Sequence, residues 1–318
     1  MNHDAHDFAW REWREAVRND RMHHAWMLTG RKGLGKRDFA LAAAGELITD
    51  SASHSDMANH PDILVLDRHP KDDKEERKRA DGKPFETKRN IPVSQIRAMQ
   101  QRLTTRPTMG NKRAVIIDPA DVMEPAASNA LLKSLEEPPQ GTYFILIAHS
   151  PAKLLPTIRS RCRTLRFPTL SHDQMLVLLG KERPEAAIAD REAAAATGSP
   201  GTAIDFLDRE LGKIYTSMQA IVKTRDADHT HRSKLTLAIG SRPDRDRMLA
   251  VLNLARRVLA NEVGNVHPSA FPKFVDAHSE MVKLTAQMPV YNFDTALLIA
   301  EIGTLLASAA PSTANAHV

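Results

Sequence analysis

Residues 25–37 read Ala-Trp-Met-Leu-Thr-Gly-Arg-Lys-Gly-Leu-Gly-Lys-Arg, a short apolar run that enters a glycine-rich turn. Gly30, Gly35 and Lys36 keep the spacing G-x-x-x-x-G-K of a phosphate-binding loop, with Gly33 between them. In such a loop the glycines let backbone N–H groups turn inward around phosphate oxygens, and the lysine reaches the terminal pair. A hydroxyl at the next position completes the shell of a magnesium ion. That next position here is Arg37, whose permanently charged guanidinium only donates and coordinates no cation. The stretch therefore predicts a strand, a loop and a helix opening an α/β domain, with a degenerate nucleotide site.

Working outward, Ala25 to Thr29 is expected as a buried strand and Arg37 to Ile48 as the helix after the loop. Further apolar runs repeat the strand signal at Ile63 to Leu66, Ala114 to Ile117, Tyr143 to Ala148 and Thr164 to Phe167. A helix is expected from about Ala126 to Glu137, stopped by Pro138 and Pro139. Strands alternating with helices imply a sheet with crossover connections, an α/β domain over residues 1–169. Asp67 to Arg89, dense in charges of both signs, breaks the alternation and is expected as a solvated, mobile insertion near 67–90.

From Leu170 onward helical periodicity takes over. Met248, Val251, Leu252, Ala255, Val258 and Leu259 recur at steps of three and four, as do Leu211, Ile214, Tyr215, Met218, Ile221 and Val222. Such stripes are core or subunit contacts before they are cofactor boxes. Gly198 to Gly201 interrupts the helices, and residues 226–232 form a polar connection. A small helical domain is placed at 170–209 and a larger one at 210–318, with a loose tail from Pro311.

A chain of 318 residues exceeds the size at which one core stops growing, which fits this division. Aromatic residues at 5% are too sparse for a single-strand binder built on stacking platforms. The net charge of +5 favours an acidic partner such as nucleic acid, as supporting weight only. The lone Cys162 excludes an internal disulfide and an all-thiolate zinc site. The start of the sequence is polar, and no apolar run approaches the ~20 residues that cross a bilayer, so a cytoplasmic location away from membranes is expected.

Ala114-Val115-Ile116-Ile117-Asp118 is an apolar strand ending in a carboxylate. In nucleotide-hydrolysing folds such an Asp supports magnesium, and a Glu commonly follows to position the attacking water. Pro119 follows here, with neither carboxylate nor N–H, and Asp121 would need reorienting to substitute. A strand-ending Asp with no metal role fits Asp118 equally well. After Pro156, the run Thr157-Ile158-Arg159-Ser160-Arg161-Cys162 places arginines at the approach to a strand. An arginine at a sheet edge can project toward a neighbouring subunit and stabilise a transferring phosphoryl group. Cys162 as a nucleophile lacks a partner histidine.

Four sequence features together resemble the clamp loaders of bacterial DNA polymerase III. They are His24-Ala25-Trp26 before the loop, His60-Pro61-Asp62, the block from Ala127 to Pro139 containing Ser128-Asn129-Ala130-Leu131-Leu132-Lys133, and Ser160-Arg161-Cys162. The resemblance covers about residues 8–210. It implies a RecA-like AAA+ domain, a helical lid and an all-α collar that joins subunits in a ring. It further implies partners: gamma or tau and delta in a heteropentamer, with the sliding clamp and primer-template DNA reached through the complex.

The motor members of that family carry Thr where Arg37 stands, Glu where Pro119 stands, and a lid arginine where Gly198-Ser199-Pro200-Gly201 supplies none. The resemblance is therefore to the non-hydrolysing branch. Arg161 matches an arginine finger supplied in trans, with Ser160 and Cys162 completing its motif. Gly30, Gly33, Gly35, Lys36 and Asp118 form a vestigial nucleotide site that requires no cofactor. An ATP-hydrolysing motor subunit, or a stand-alone nucleic-acid-binding module, are the alternatives. Many relatives have a four-cysteine zinc module after the first helix. Ser51 to Asn59 contains no cysteine, so no zinc is expected, and His54, Asp56 and His60 read as surface residues.

Overall fold

The computed structural model describes residues 7–19, 22–48, 57–83, 85–195, 197–265, 267–288, 291 and 293–310. The chain divides into two compact units, Met1–Ser171 with Ser199–Gly201, and His172–Gly198 with Thr202–Val318.

The first unit is built on five strands: β1 (Ala25–Thr29), β2 (Ile63–Asp67), β3 (Arg113–Asp118), β4 (Thr142–Ala148) and β5 (Arg163–Arg166). They form one sheet in the order β2-β3-β4-β1-β5, and every pairing is parallel. Parallel neighbours cannot be joined by tight hairpins, so the chain crosses over between them. The helices of this unit are α1 (Asp7–Arg18), α2 (Lys36–Ile48), α3 (Asp73–Ala80), α4 (Val93–Leu103), α5 (Pro125–Glu136) and α6 (Pro156–Arg159).

Successive side chains of a strand point to opposite faces, and here both faces are covered. Trp26, Leu28, Ala114, Ile116, Ile145 and Ile147 meet Trp13 of α1 and Phe39 of α2 on one side. Ala25, Met27, Val115, Ile117, Phe144 and Leu146 meet Ile96 of α4 and Leu131 and Leu135 of α5 on the other. That double burial is why the strands read as continuous apolar runs. The first face carries an aromatic cluster, with Trp13 and Trp26 ring centroids 5.2 Å apart and Trp10 4.4 Å from Phe39. Offset or tilted contacts of this kind add about 0.5–1.5 kcal/mol each beyond the buried area.

Local signals set the helix ends. Pro125 opens α5, where its missing N–H costs nothing, and the Pro138-Pro139 pair lies just beyond the end of α5. The charged segment near 67–90, expected as a mobile, solvated insertion, is solvated along most of its side chains and also carries α3. Asp72 caps that helix by accepting from the N–H groups of Lys74 and Glu75, both at 3.0 Å. The Glu75 carboxylate then accepts from Glu86 N at 2.7 Å, tying the helix to the returning chain. Lys71 N donates to Glu86 O and Lys88 N to His69 O, which closes a short antiparallel arm.

The second unit is all-helical: α7 (His172–Glu182), α8 (Ile188–Ala195), α9 (Pro200–Asp208), α10 (Gly212–Thr224), α11 (Thr230–Ile239), α12 (Arg245–Glu262), α13 (Phe271–Gln287) and α14 (Thr295–Ala309). The stripe Met248, Val251, Leu252, Ala255, Val258 and Leu259 is buried along α12, and Ile214, Met218, Ile221 and Val222 are buried along α10. These stripes pack α10 and α12 against each other and against α14. The tail expected to be loose from Pro311 lies outside the described residues. Among the described residues, no helix is long and apolar enough to cross a membrane.

Candidate functional site

β1 runs between β4 and β5, and its C-terminal end, where α/β sheets receive their ligands, opens into the glycine loop. Gly30, Gly33 and Gly35 have φ of 145°, 83° and 72°, a region in which a side chain is strained. Gly30 is also confined by space, because a Cβ there would come 2.5 Å from the Phe167 carbonyl oxygen. The backbone thus keeps the turn of a phosphate loop.

The side chains do not keep its chemistry. Lys36 is buried and turned back on the loop, where its Nζ donates to Gly30 O at 2.7 Å and to Arg31 O at 2.6 Å. Burial pushes its pKa down to about 8 against the opposing pull of Asp118 and Asp121. Arg37 reaches across the ends of two strands. Its Nη1 lies 3.0 Å from Asp118 Oδ2 and its Nη2 3.2 Å from Asp67 Oδ2. Magnesium takes oxygen ligands in near-octahedral geometry. Position 37 supplies no oxygen, and both strand-end carboxylates are already bound to a guanidinium. The residues present do not fit a magnesium ion.

The nearby carboxylates are already engaged. Pro119 follows Asp118, and Asp121 is engaged with both oxygens, accepting from His149 N at 2.9 Å and Ser150 N at 3.1 Å beyond the end of β4. His149 lies beside these groups, and burial, reinforced by the charge of Lys36, pushes its pKa down. A cavity of about 420 Å³ opens next to the loop at the ends of β1, β4 and β5, with Thr29, Gly30, Arg31, His149 and Arg166 in its wall.

Arg161 stands apart from this cluster, one turn beyond α6. Its Nη1 donates to Thr157 O at 3.0 Å, and its Nη2 lies 2.7 Å from Glu136 Oε1 at the end of α5. The ion pair is solvent-accessible on both sides, so it holds the side chain in place weakly. Ser160 Oγ donates to Thr157 O at 3.1 Å and helps close the turn that presents the arginine. Burial pushes the Cys162 thiol up to about 12, which makes it a packing residue without nucleophilic character.

The sequence reading brings Gly30, Gly33, Gly35, Lys36 and Asp118 to one end of the sheet, and the structure gathers them there. It does not identify Asp67 or His149. Asp67 joins the cluster only because β2 pairs with β3 in a register that sets it opposite Asp118. His54 and Asp56, weighed as zinc ligands, lie outside the described residues. His60 Nδ1 accepts from Asp62 N at 3.1 Å, and among the described residues no group of three His, Cys, Asp or Glu side chains is placed to hold a metal ion.

Residues 5–171 match the family model described as DNA polymerase III, delta subunit. The DNA polymerase III subunit delta prime of Pseudomonas aeruginosa is 32% identical over 194 residues, which cover 57% of this chain and 54% of that protein. DNA polymerase III subunit tau of Escherichia coli is 27% identical over 231 residues, covering 65% of this chain and 33% of its own length. The chain thus spans about half the length of the delta prime relative. Among solved structures, a DNA polymerase III gamma subunit-related protein from Thermotoga maritima aligns over 93% of this chain and 98% of its own, with a TM-score of 0.51 at 17% identity. That likeness concerns the fold.

Proposed function

The chain belongs to the family described as DNA polymerase III, delta subunit, and from that membership we propose that it works as the non-hydrolysing, delta prime-type member of a clamp-loader ring. In this role it braces a heteropentamer with gamma or tau and delta in the cytoplasm. The ring loads the sliding clamp onto primed DNA during replication. Its lid spans 170–209 and its collar 210–318. Arg161 completes the ATP site of an adjacent gamma or tau subunit, where its permanently charged planar fork stabilises the transferring γ-phosphoryl group.

One observation carries this reading: Arg37 is ion-paired to Asp118, the carboxylate that an active site would present to magnesium. With Pro119 after it and Asp121 occupied by backbone N–H groups, the chain's own loop has neither a metal seat nor a free carboxylate to act as a general base. Arg161, by contrast, is solvent-accessible and held by the Thr157 carbonyl and an exposed carboxylate.

Steady-state ATP turnover by the purified chain tests the silent half of the proposal. The expected rate is at background and unchanged by Lys36→Ala. Turnover that Lys36→Ala abolishes would instead identify an ATP-hydrolysing motor subunit.

A further inference from the structure

We propose that the Arg37 guanidinium is a built-in substitute for a divalent cation, so that this loop is closed to metal and any anion it accepts is bound without one. Asp67 and Asp118 are direct partners at the ends of two parallel strands. Two carboxylates held that close repel unless a cation lies between them. In a metal-dependent site that cation comes from solvent together with the nucleotide. Here it comes from the first turn of α2. The two terminal nitrogens of one planar fork each take one carboxylate, Nη1 at 3.0 Å from Asp118 and Nη2 at 3.2 Å from Asp67.

The position in sequence makes the substitution specific. Arg37 occupies the place from which a Ser or Thr hydroxyl would reach the metal, so one residue both removes a ligand and fills the space. Lys36 gives its hydrogen bonds to the loop carbonyls and leaves the direct contacts to the carboxylate pair to Arg37. The ion pairs are partly exposed, with 43% of the Arg37 side chain accessible, so their main effect is occupancy of the seat and not stability. Accessibility also means that removing the guanidinium leaves both carboxylates open to solvent and to a metal ion. The inference concerns this chain alone and stands whether or not Arg161 acts on a neighbour.

Mn²⁺ alone is a suitable probe, read by the loss of the free-ion electron paramagnetic resonance signal as the full-length chain is added. The native chain should leave the signal unchanged, whereas Arg37→Thr should bind Mn²⁺ at least about tenfold more tightly, and Arg37→Thr with Asp118→Asn should lose that gain. In parallel, nucleotide affinity of the native chain should be the same in Mg²⁺ and in EDTA, and Arg37→Thr should make it depend on Mg²⁺. An Arg37→Thr chain that binds Mn²⁺ no better than the native one overturns the proposal. So does a native chain whose Mn²⁺ binding is lost on Asp118→Asn, a result that needs no Arg37 variant to fold.

Discussion

Lys36 and Arg37 are adjacent cations with different fates. Lys36 is buried with its charge directed at loop carbonyls, and its pKa is lowered to about 8 from the 10.5 of a free lysine. A lysine whose pKa is lower folded than unfolded binds its proton less tightly in the native state. Its burial therefore costs stability below about pH 8, and that cost is relieved as pH rises from there toward 10.5. Between pH 7 and 9 the native chain should gain on the order of 1 kcal/mol relative to Lys36→Met, read as the difference between their urea unfolding free energies. A difference that does not change with pH would mean the lysine is solvated. The chemistry of Arg37 was legible from one letter, because a guanidinium never ligates a metal wherever it stands. Its partner Asp67 was not legible, since thirty residues of chain separate them and only strand register brings them together.

The elements were readable in proportion to how completely each is buried. β1, β3 and β4 are enclosed on both faces and announce themselves as apolar runs, as do the stripes of α10 and α12. α1 was harder to see, because Arg11, Glu12, Arg14 and Glu15 interleave with Trp10 and Trp13 and mask the stripe. α3 has almost no apolar residue. It rests on the Asp72 cap and the inward-turned Glu75, signals of a few hydrogen bonds that no apolar pattern announces.

The His60-Pro61-Asp62 motif, read from the sequence only as a likeness, has a structural role at this scale. Asp62 is fully buried and accepts from Thr108 N at 2.7 Å and Met109 N at 2.8 Å, with Arg113 3.5 Å away. Burial alone would raise the pKa of its carboxyl, but these N–H groups and the Arg113 charge together hold it below the usual carboxylate range. Arg113 in turn donates to the carbonyls of Arg102, Thr105 and Arg106, so the pair shapes the connection between α4 and β3. Asp62→Ala strands a buried guanidinium and should cost about 3–5 kcal/mol in urea unfolding, whereas Asp62→Asn keeps the shape and should cost less. Equal losses for the two would place the effect in packing and not in charge.

At the scale of the whole molecule, the proposed division of labour rests on the sequence and on the structure by different routes. In the sequence it is read from two replaced residues, Arg37 and Pro119, and from a lid turn without arginine. In the structure it is the engagement of three groups at the loop: Lys36 with carbonyls, Asp118 with Arg37, and Asp121 with backbone N–H groups. What neither holds is the neighbour that the proposed role of Arg161 requires; within its own chain Arg161 pairs with Glu136 and the Thr157 carbonyl. Glu136→Gln removes that competing carboxylate and should leave the ATPase of an assembled ring equal or faster; a marked fall would give Glu136 a role of its own.

The most direct test of the proposed role is the DNA-stimulated ATPase of a loader reconstituted from this chain and its cognate subunits, native against Arg161→Ala. The proposal predicts an intact ring with a rate that falls steeply, since fingers supplied in trans contribute about 10³- to 10⁵-fold at the site they complete, diluted here by the sites that this chain does not serve. An intact ring that hydrolyses ATP at the native rate would contradict it.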